Sequence, residues 1–163
     1  MKNYLLPIFF LFTTLSSKAA EIIVTPTTGK QLLKTVQSIK ADIVVLNLWA
    51  TWCAPCTREF PEIIKLYQKY QQQNVELILV SADFEPDLQN VKTFLEKQGV
   101  TFPTYLKKQK DLDFIAEIDQ KWKGVLPSTF IYDRQKKVRY LFEEEITYEK
   151  LEHAILSLLK EKP

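Results

Sequence analysis

Glycine and cysteine are both scarce in this chain of 163 residues, which has three of the first and two of the second. The cysteines, Cys53 and Cys56, lie three positions apart. A small secreted domain stapled by disulfides would use more of them and space them widely. A bridge between such close neighbours closes a tiny loop and constrains little of the unfolded chain. The pair is therefore expected to serve chemistry, not cross-linking. Histidine and methionine occur once each. His153 is far in sequence from the cysteines and reads as a surface residue, not a general base or ligand. Charge of one sign is also lacking, because the formal net charge is only +2. That balance gives no basic patch for nucleic acid and requires no anionic membrane surface. Long apolar runs are missing too. The run over 5–15 is broken by Pro7, Thr13 and Thr14 and falls short of the roughly 20 residues a membrane-crossing helix needs. Lys2 precedes it and Ser17-Lys18-Ala19 follows, so residues 1–19 are expected to be a secretory signal peptide, with an uncleaved anchor the less favoured alternative. No cysteine follows the run to carry a lipid. Loss of 1–19 would remove Lys2 and Lys18, leaving basic and acidic residues equal in number.

What is present suits one packed domain over 20–163. The apolar fraction is 46% and the aromatic fraction 12%, enough for a globular core. Short strands are expected at 22–25 and 101–106. Strands buried on both faces are expected at 43–49 and 75–81, where branched residues run without alternation. Apolar residues recur at helical spacing over 29–40, from Ala54 onward, and over 87–98 with Gly99 as a stop. Pro61 is expected to kink the second of these helices. A helix is expected at 111–118. Strands at 129–132 and 138–142 flank the polar turn Asp133-Arg134-Gln135-Lys136-Lys137, and a helix over 147–160 closes the chain. Strands alternating with helices, then a hairpin and a helix, imply an α/β domain with a central mixed β-sheet flanked by helices on both faces.

The segment Trp49-Ala50-Thr51-Trp52-Cys53-Ala54-Pro55-Cys56 places a Cys-x-x-Cys where a strand gives way to a helix. The thiolate is the reactive form of cysteine. At a helix N-terminus, unpaired N–H groups and the helix dipole lower the thiol pKa. Cys53 is the expected nucleophile. Cys56, one turn inside the helix and more shielded, suits release of a mixed disulfide by intramolecular attack. Pro55 falls in the first turn, where its missing N–H costs little.

These residues resemble the active site of thioredoxin-like proteins, and more narrowly of the TlpA/ResA-type redoxins. Asn47 stands where cytoplasmic thioredoxins usually carry a buried aspartate. Cys56-Thr57-Arg58-Glu59-Phe60-Pro61 is similar to the Cys-x-x-Glu-x-Pro run of that group. The likeness continues at Leu79-Val80-Ser81-Ala82-Asp83 and over Trp122 to Asp133, including Leu126-Pro127-Ser128-Thr129-Phe130, and so spans most of 40–133. It implies a thioredoxin-like fold and a thiol:disulfide oxidoreductase. It implies that Glu59 influences the proton chemistry of the cysteines. It also implies a cis bond before Pro127, which would present the Leu126 backbone to a client chain and keep metal from the dithiol. Trp52 is expected in an apolar collar for substrates, with Pro55 and Leu126, while Trp49 belongs to the core. Trp122 reads as packing or as part of the same collar. Glu143-Glu144-Glu145 reads as a solvated turn. The turn after Asp133 lacks the glycine usual in the family.

The resemblance implies a periplasmic or extracytoplasmic protein-disulfide reductase acting on secreted proteins such as oxidised apocytochrome c. It would be supplied with electrons by a membrane thiol relay, with no cofactor beyond the Cys53–Cys56 pair, and is expected to be a monomer. A disulfide oxidase or isomerase is the same chemistry reversed. A Cu(I)-binding module is another alternative, since soft sulfur suits Cu(I), but no third ligand accompanies the two thiols. A peroxidase of related fold needs Pro-x-x-x-Thr-x-x-Cys, a spacing Thr51 and Cys53 do not provide.

Overall fold

The computed structural model describes residues 22–161, so the signal-peptide reading of 1–19 lies outside the described residues. Six strands form one sheet: β1 (Val24–Thr27), β2 (Ile43–Trp49), β3 (Val75–Ser81), β4 (Thr104–Lys107), β5 (Ser128–Tyr132) and β6 (Val138–Phe142). Their order across the sheet is β1-β4-β3-β2-β5-β6. The first four are mutually parallel, β5 adds antiparallel to β2, and β6 adds antiparallel to β5. The helices are α1 (Gly29–Ser38), α2 (Ala54–Tyr70), α3 (Leu88–Lys97), α4 (Asp111–Ile118) and α5 (Tyr148–Leu159). This is the mixed, two-sided α/β architecture the sequence predicts.

Strand parity assigns the layers. Side chains alternate along β2, so Val44, Leu46 and Leu48 pack with Leu32 and Val36 of α1 and Phe114 and Ile118 of α4. Ile43, Val45 and Trp49 pack on the other face with Phe60 and Ile63 of α2, Val91 of α3 and Ile155 of α5. Trp49, Phe60 and Phe94 form a triangle of rings, with centroids 4.8, 4.9 and 5.0 Å apart. Such contacts add roughly 0.5–1.5 kcal/mol each beyond burial, and here they pin α2 against the end of β2. Trp49 is thus core, as expected.

Some boundaries differ from the sequence reading. β1 starts two residues later than expected and runs through Pro26, which a strand tolerates at a sheet edge. β4 begins only after Pro103. A short 3-10 turn, Glu85–Asp87, precedes α3. α2 continues to Tyr70 as one element through Pro61, which lies on its exposed side. There the Thr57 carbonyl, left without its helical donor, can meet water. The glycine-poor hairpin turn closes through Lys136, whose φ is +58°. The Asp133 carboxylate accepts the N–H groups of Gln135 and Lys137 at 2.9 and 3.0 Å and so holds the turn a glycine would otherwise relax.

Candidate dithiol site

β2 ends at Trp49, and the chain turns over Ala50–Cys53 before α2 begins. The Cys53 N–H donates to the Ala50 carbonyl at 3.2 Å, closing a tight turn. Cys53 is the N-cap of α2, and its Sγ accepts the Cys56 N–H at 3.3 Å. The helix thus directs one of its free donors onto that sulfur. Cys53 and Cys56 form a disulfide. Cys56 is fully buried and Cys53 is 6% exposed, so the outer sulfur is the more accessible, though only slightly. Pro55 occupies the first turn, half-buried.

Glu59 follows Cys56 by three positions, which puts both on one face of α2. It is 2% exposed. The parity that turns Val45 and Trp49 toward α2 also turns Asn47 there, and the Asn47 Nδ2 donates to Glu59 Oε1 at 3.0 Å. The same amide donates to Thr129 Oγ1 at 3.0 Å, from the residue paired with Asn47 across β2 and β5. Behind, the Ile146 N–H donates to Glu59 Oε2 at 2.8 Å. Burial outweighs these two hydrogen bonds and pushes the carboxyl up from 4.5 to about 7. The Asn47 Oδ1 is buried with no hydrogen-bond partner. An aspartate at 47 would set a second carboxyl against the first, whereas the amide supplies donors to both neighbours.

The Leu126–Pro127 peptide is cis. Pro127 is buried and Leu126 half-buried, at the start of β5. Trp52 is 63% exposed. Trp52 and Leu126 border a cleft of about 280 Å³ whose other walls include Val80, Phe84, Lys107 and Trp122. Trp122 serves both roles considered for it: it lines the cleft, and its Nε1 donates to Ser128 Oγ at 2.9 Å while its ring packs edge-on to Phe114 and Phe130. His153 is exposed on α5. In the acidic turn, Glu144 and Glu145 are exposed but paired with Lys150 and Arg58 respectively, and Ile146 behind them is the anchor on Glu59. Among the described residues no group of three His, Cys, Asp or Glu side chains is placed to hold a metal ion, and no helix is long and apolar enough to cross a membrane.

Sequence reasoning missed a second buried carboxylate. Asp83, fully buried just past β3, accepts the Thr51 N–H at 2.9 Å and the Thr51 hydroxyl at 2.5 Å. The Ser81 hydroxyl donates to it at 2.6 Å. What points to it is the strand register, which the structure supplies. β2 and β3 pair in parallel with a constant offset, Ile43 with Val75 through Trp49 with Ser81, and two further steps set Thr51 against Asp83.

A mixed sheet, a cis-proline loop and a Cys-x-x-Cys disulfide at a helix N-terminus define a thioredoxin-like redoxin. Comparison with known proteins narrows this. The AhpC/TSA family matches residues 16–141. The thiol-disulfide oxidoreductase ResA of Geobacillus thermodenitrificans is 37% identical over 115 residues, 71% of this chain and 62% of that protein's length. ResA of Bacillus thuringiensis is 35% identical over 138 residues, 85% of this chain and 75% of the relative. Among solved structures, a DsbF homologue from Corynebacterium diphtheriae superposes with a TM-score of 0.62 at 26% identity, covering 73% of this chain and 74% of that one. A thioredoxin-family thiol:disulfide interchange protein from Chlorobium tepidum shares the fold, with a TM-score of 0.64 at 20% identity over 75% and 83% of the two chains. The chain belongs to the AhpC/TSA family, as a ResA/TlpA-type thiol:disulfide oxidoreductase.

Proposed function

We propose that this chain is an extracytoplasmic reductase of disulfides in secreted proteins, with Cys53 as nucleophile and Cys56 as resolving thiol. The observation that carries this reading is the Cys53–Cys56 disulfide capping α2, with the outer sulfur taking a helix N–H. A thiolate at that position keeps the same donor, which favours the anion. In the reduced protein the Cys53 thiolate attacks one sulfur of a client disulfide. The client bond breaks, one client thiolate leaves, and a mixed disulfide forms. Cys56 then loses its proton, with Glu59 the acceptor its position favours, and attacks the Cys53 sulfur. The second client thiolate leaves, and Cys53 and Cys56 are left oxidised. Two electrons pass from the protein to the client, and a dithiol donor must restore them. The signal-peptide reading and the ResA-type resemblance support an extracytoplasmic setting, a membrane thiol relay as donor and apocytochrome c as one client. The cleft between Trp52 and Leu126 suits a client segment lying beside the dithiol.

The experiment is substitution of the resolving thiol. Cys56→Ser should accumulate mixed disulfides at Cys53 that mass spectrometry can identify, and Cys53→Ser should form none. Equilibration with glutathione buffers sets the direction. A potential near the roughly −120 mV of strong oxidants of the DsbA type would reverse the assignment to an oxidase.

A further inference from the structure

We infer that Asp83 is a positioning residue for the dithiol, acting through Thr51 to hold the turn that presents Cys53. This rests on the reading of Cys53 as nucleophile. The catalytic turn runs from Ala50 to Cys53 and is closed by the Cys53 N–H on the Ala50 carbonyl. Thr51 is the second residue of that turn, and Asp83 grips it twice, at the N–H and at the hydroxyl. One carboxylate oxygen thus takes the hydroxyl and the other the N–H. The second oxygen also takes the Ser81 hydroxyl, and the Ser81 Oγ in turn accepts the Asp83 N–H at 3.0 Å. The carboxylate is therefore fixed from its own loop before it reaches across. The adjoining backbone bond, Ala82 N–H to the Trp49 carbonyl at 2.7 Å, joins the same two strand ends.

A fully buried carboxylate is an expensive way to tie two loops together unless every donor is in place. Here three donors converge on it, which charge-assists each bond. The anchored residue lies two positions before Cys53, so rotation of the turn would carry the sulfur away from the Cys56 N–H that it accepts. The clamp thereby maintains the geometry that lowers the Cys53 pKa, without touching the reacting atoms. Its negative charge alone would do the opposite, since a nearby anion raises a thiol pKa. The sign of the effect therefore separates holding from field.

The test titrates Cys53 by thiolate absorbance in a Cys56→Ser background, with and without Asp83→Asn, and follows reduction of insulin disulfides by the otherwise intact proteins. Asp83→Asn is expected to raise the Cys53 pKa and to slow insulin reduction at neutral pH by roughly ten- to a hundredfold, the range a small misplacement of a reacting group produces. The deficit should shrink as pH rises and the thiolate is restored. Thr51→Val keeps the carboxylate and removes one of its bonds, and should shift the pKa in the same direction by less. An unchanged or lowered Cys53 pKa in Asp83→Asn overturns the inference. Should that variant not fold, Thr51→Val and Ser81→Ala decide: unchanged pKa values in both overturn it. Failure of the wild-type protein to reduce insulin would count against the reductase reading, while the thiol titration would still decide the role of Asp83.

Discussion

In the proposed mechanism Glu59 is the group that takes the Cys56 proton. Its carboxyl, raised to about 7, is neutral in mild acid and charged in mild base, so on that proposal the base would be available only above that point. Glu59→Gln is expected to remove an inflection near pH 7 from the pH–rate profile of disulfide reduction and to lower the rate above it by about a hundredfold, the lower end of general-base effects. A profile unchanged in shape would show that Glu59 is only a packing group. Asn47→Asp tests the same site from the other side. Two carboxyls held at the 3.0 Å of the present Asn47–Glu59 contact cannot both ionise readily. The inflection should move upward from about 7, read in the same rate profile.

At the scale of the element, the helices were largely legible and the contacts between loops were not. Local spacing gave α2 and α5, and the branched run over 43–49 gave a strand buried on both faces. The parity of that strand even determines that Asn47 shares a face with Trp49. Nothing local, however, puts the Ile146 N–H on Glu59, because 87 residues separate them and only the packing of α5 brings them together. Asp83 was hidden for a related reason: its partner is defined by the register of β2 with β3, which a single sequence does not display. The Asp133 turn shows the converse, since a carboxylate and one left-handed lysine replaced the glycine that the family pattern favours. Element ends offer a clean stability test. Thr28 caps α1 through a reciprocal pair with Gln31, each side chain taking the other's backbone N–H. Thr28→Ala should cost about 1 kcal/mol in chemical denaturation. α1 lies on the face opposite α2, so insulin reduction should be unaffected. Trp49→Ala, by contrast, removes one corner of the ring triangle and should cost about 3–5 kcal/mol in the same measurement.

For the whole molecule, the buried acid links pH to stability. The Glu59 carboxyl is raised in the folded protein to about 7 from 4.5, so between those values the native state holds a proton that the unfolded chain has released. Stability then falls as pH rises through this window, by about 3 kcal/mol if Glu59 acts alone. Urea denaturation of the oxidised protein at about pH 5 and about pH 8 should show that loss, and Glu59→Gln should flatten it. An equal slope in the variant would assign the effect to other groups.

The outermost strand has a consequence of its own. The carbonyls of Ile23 and Thr27 accept N–H groups from the β4 side, so by alternation Val24 and Pro26 turn their backbones away from the sheet. Proline has no hydrogen to donate. An intruding chain seeking to extend the sheet along β1 would find a single donor, on Val24, and then a ring. A further strand added along that margin loses its donor at the second step, so this edge of the sheet makes a poor template for extension.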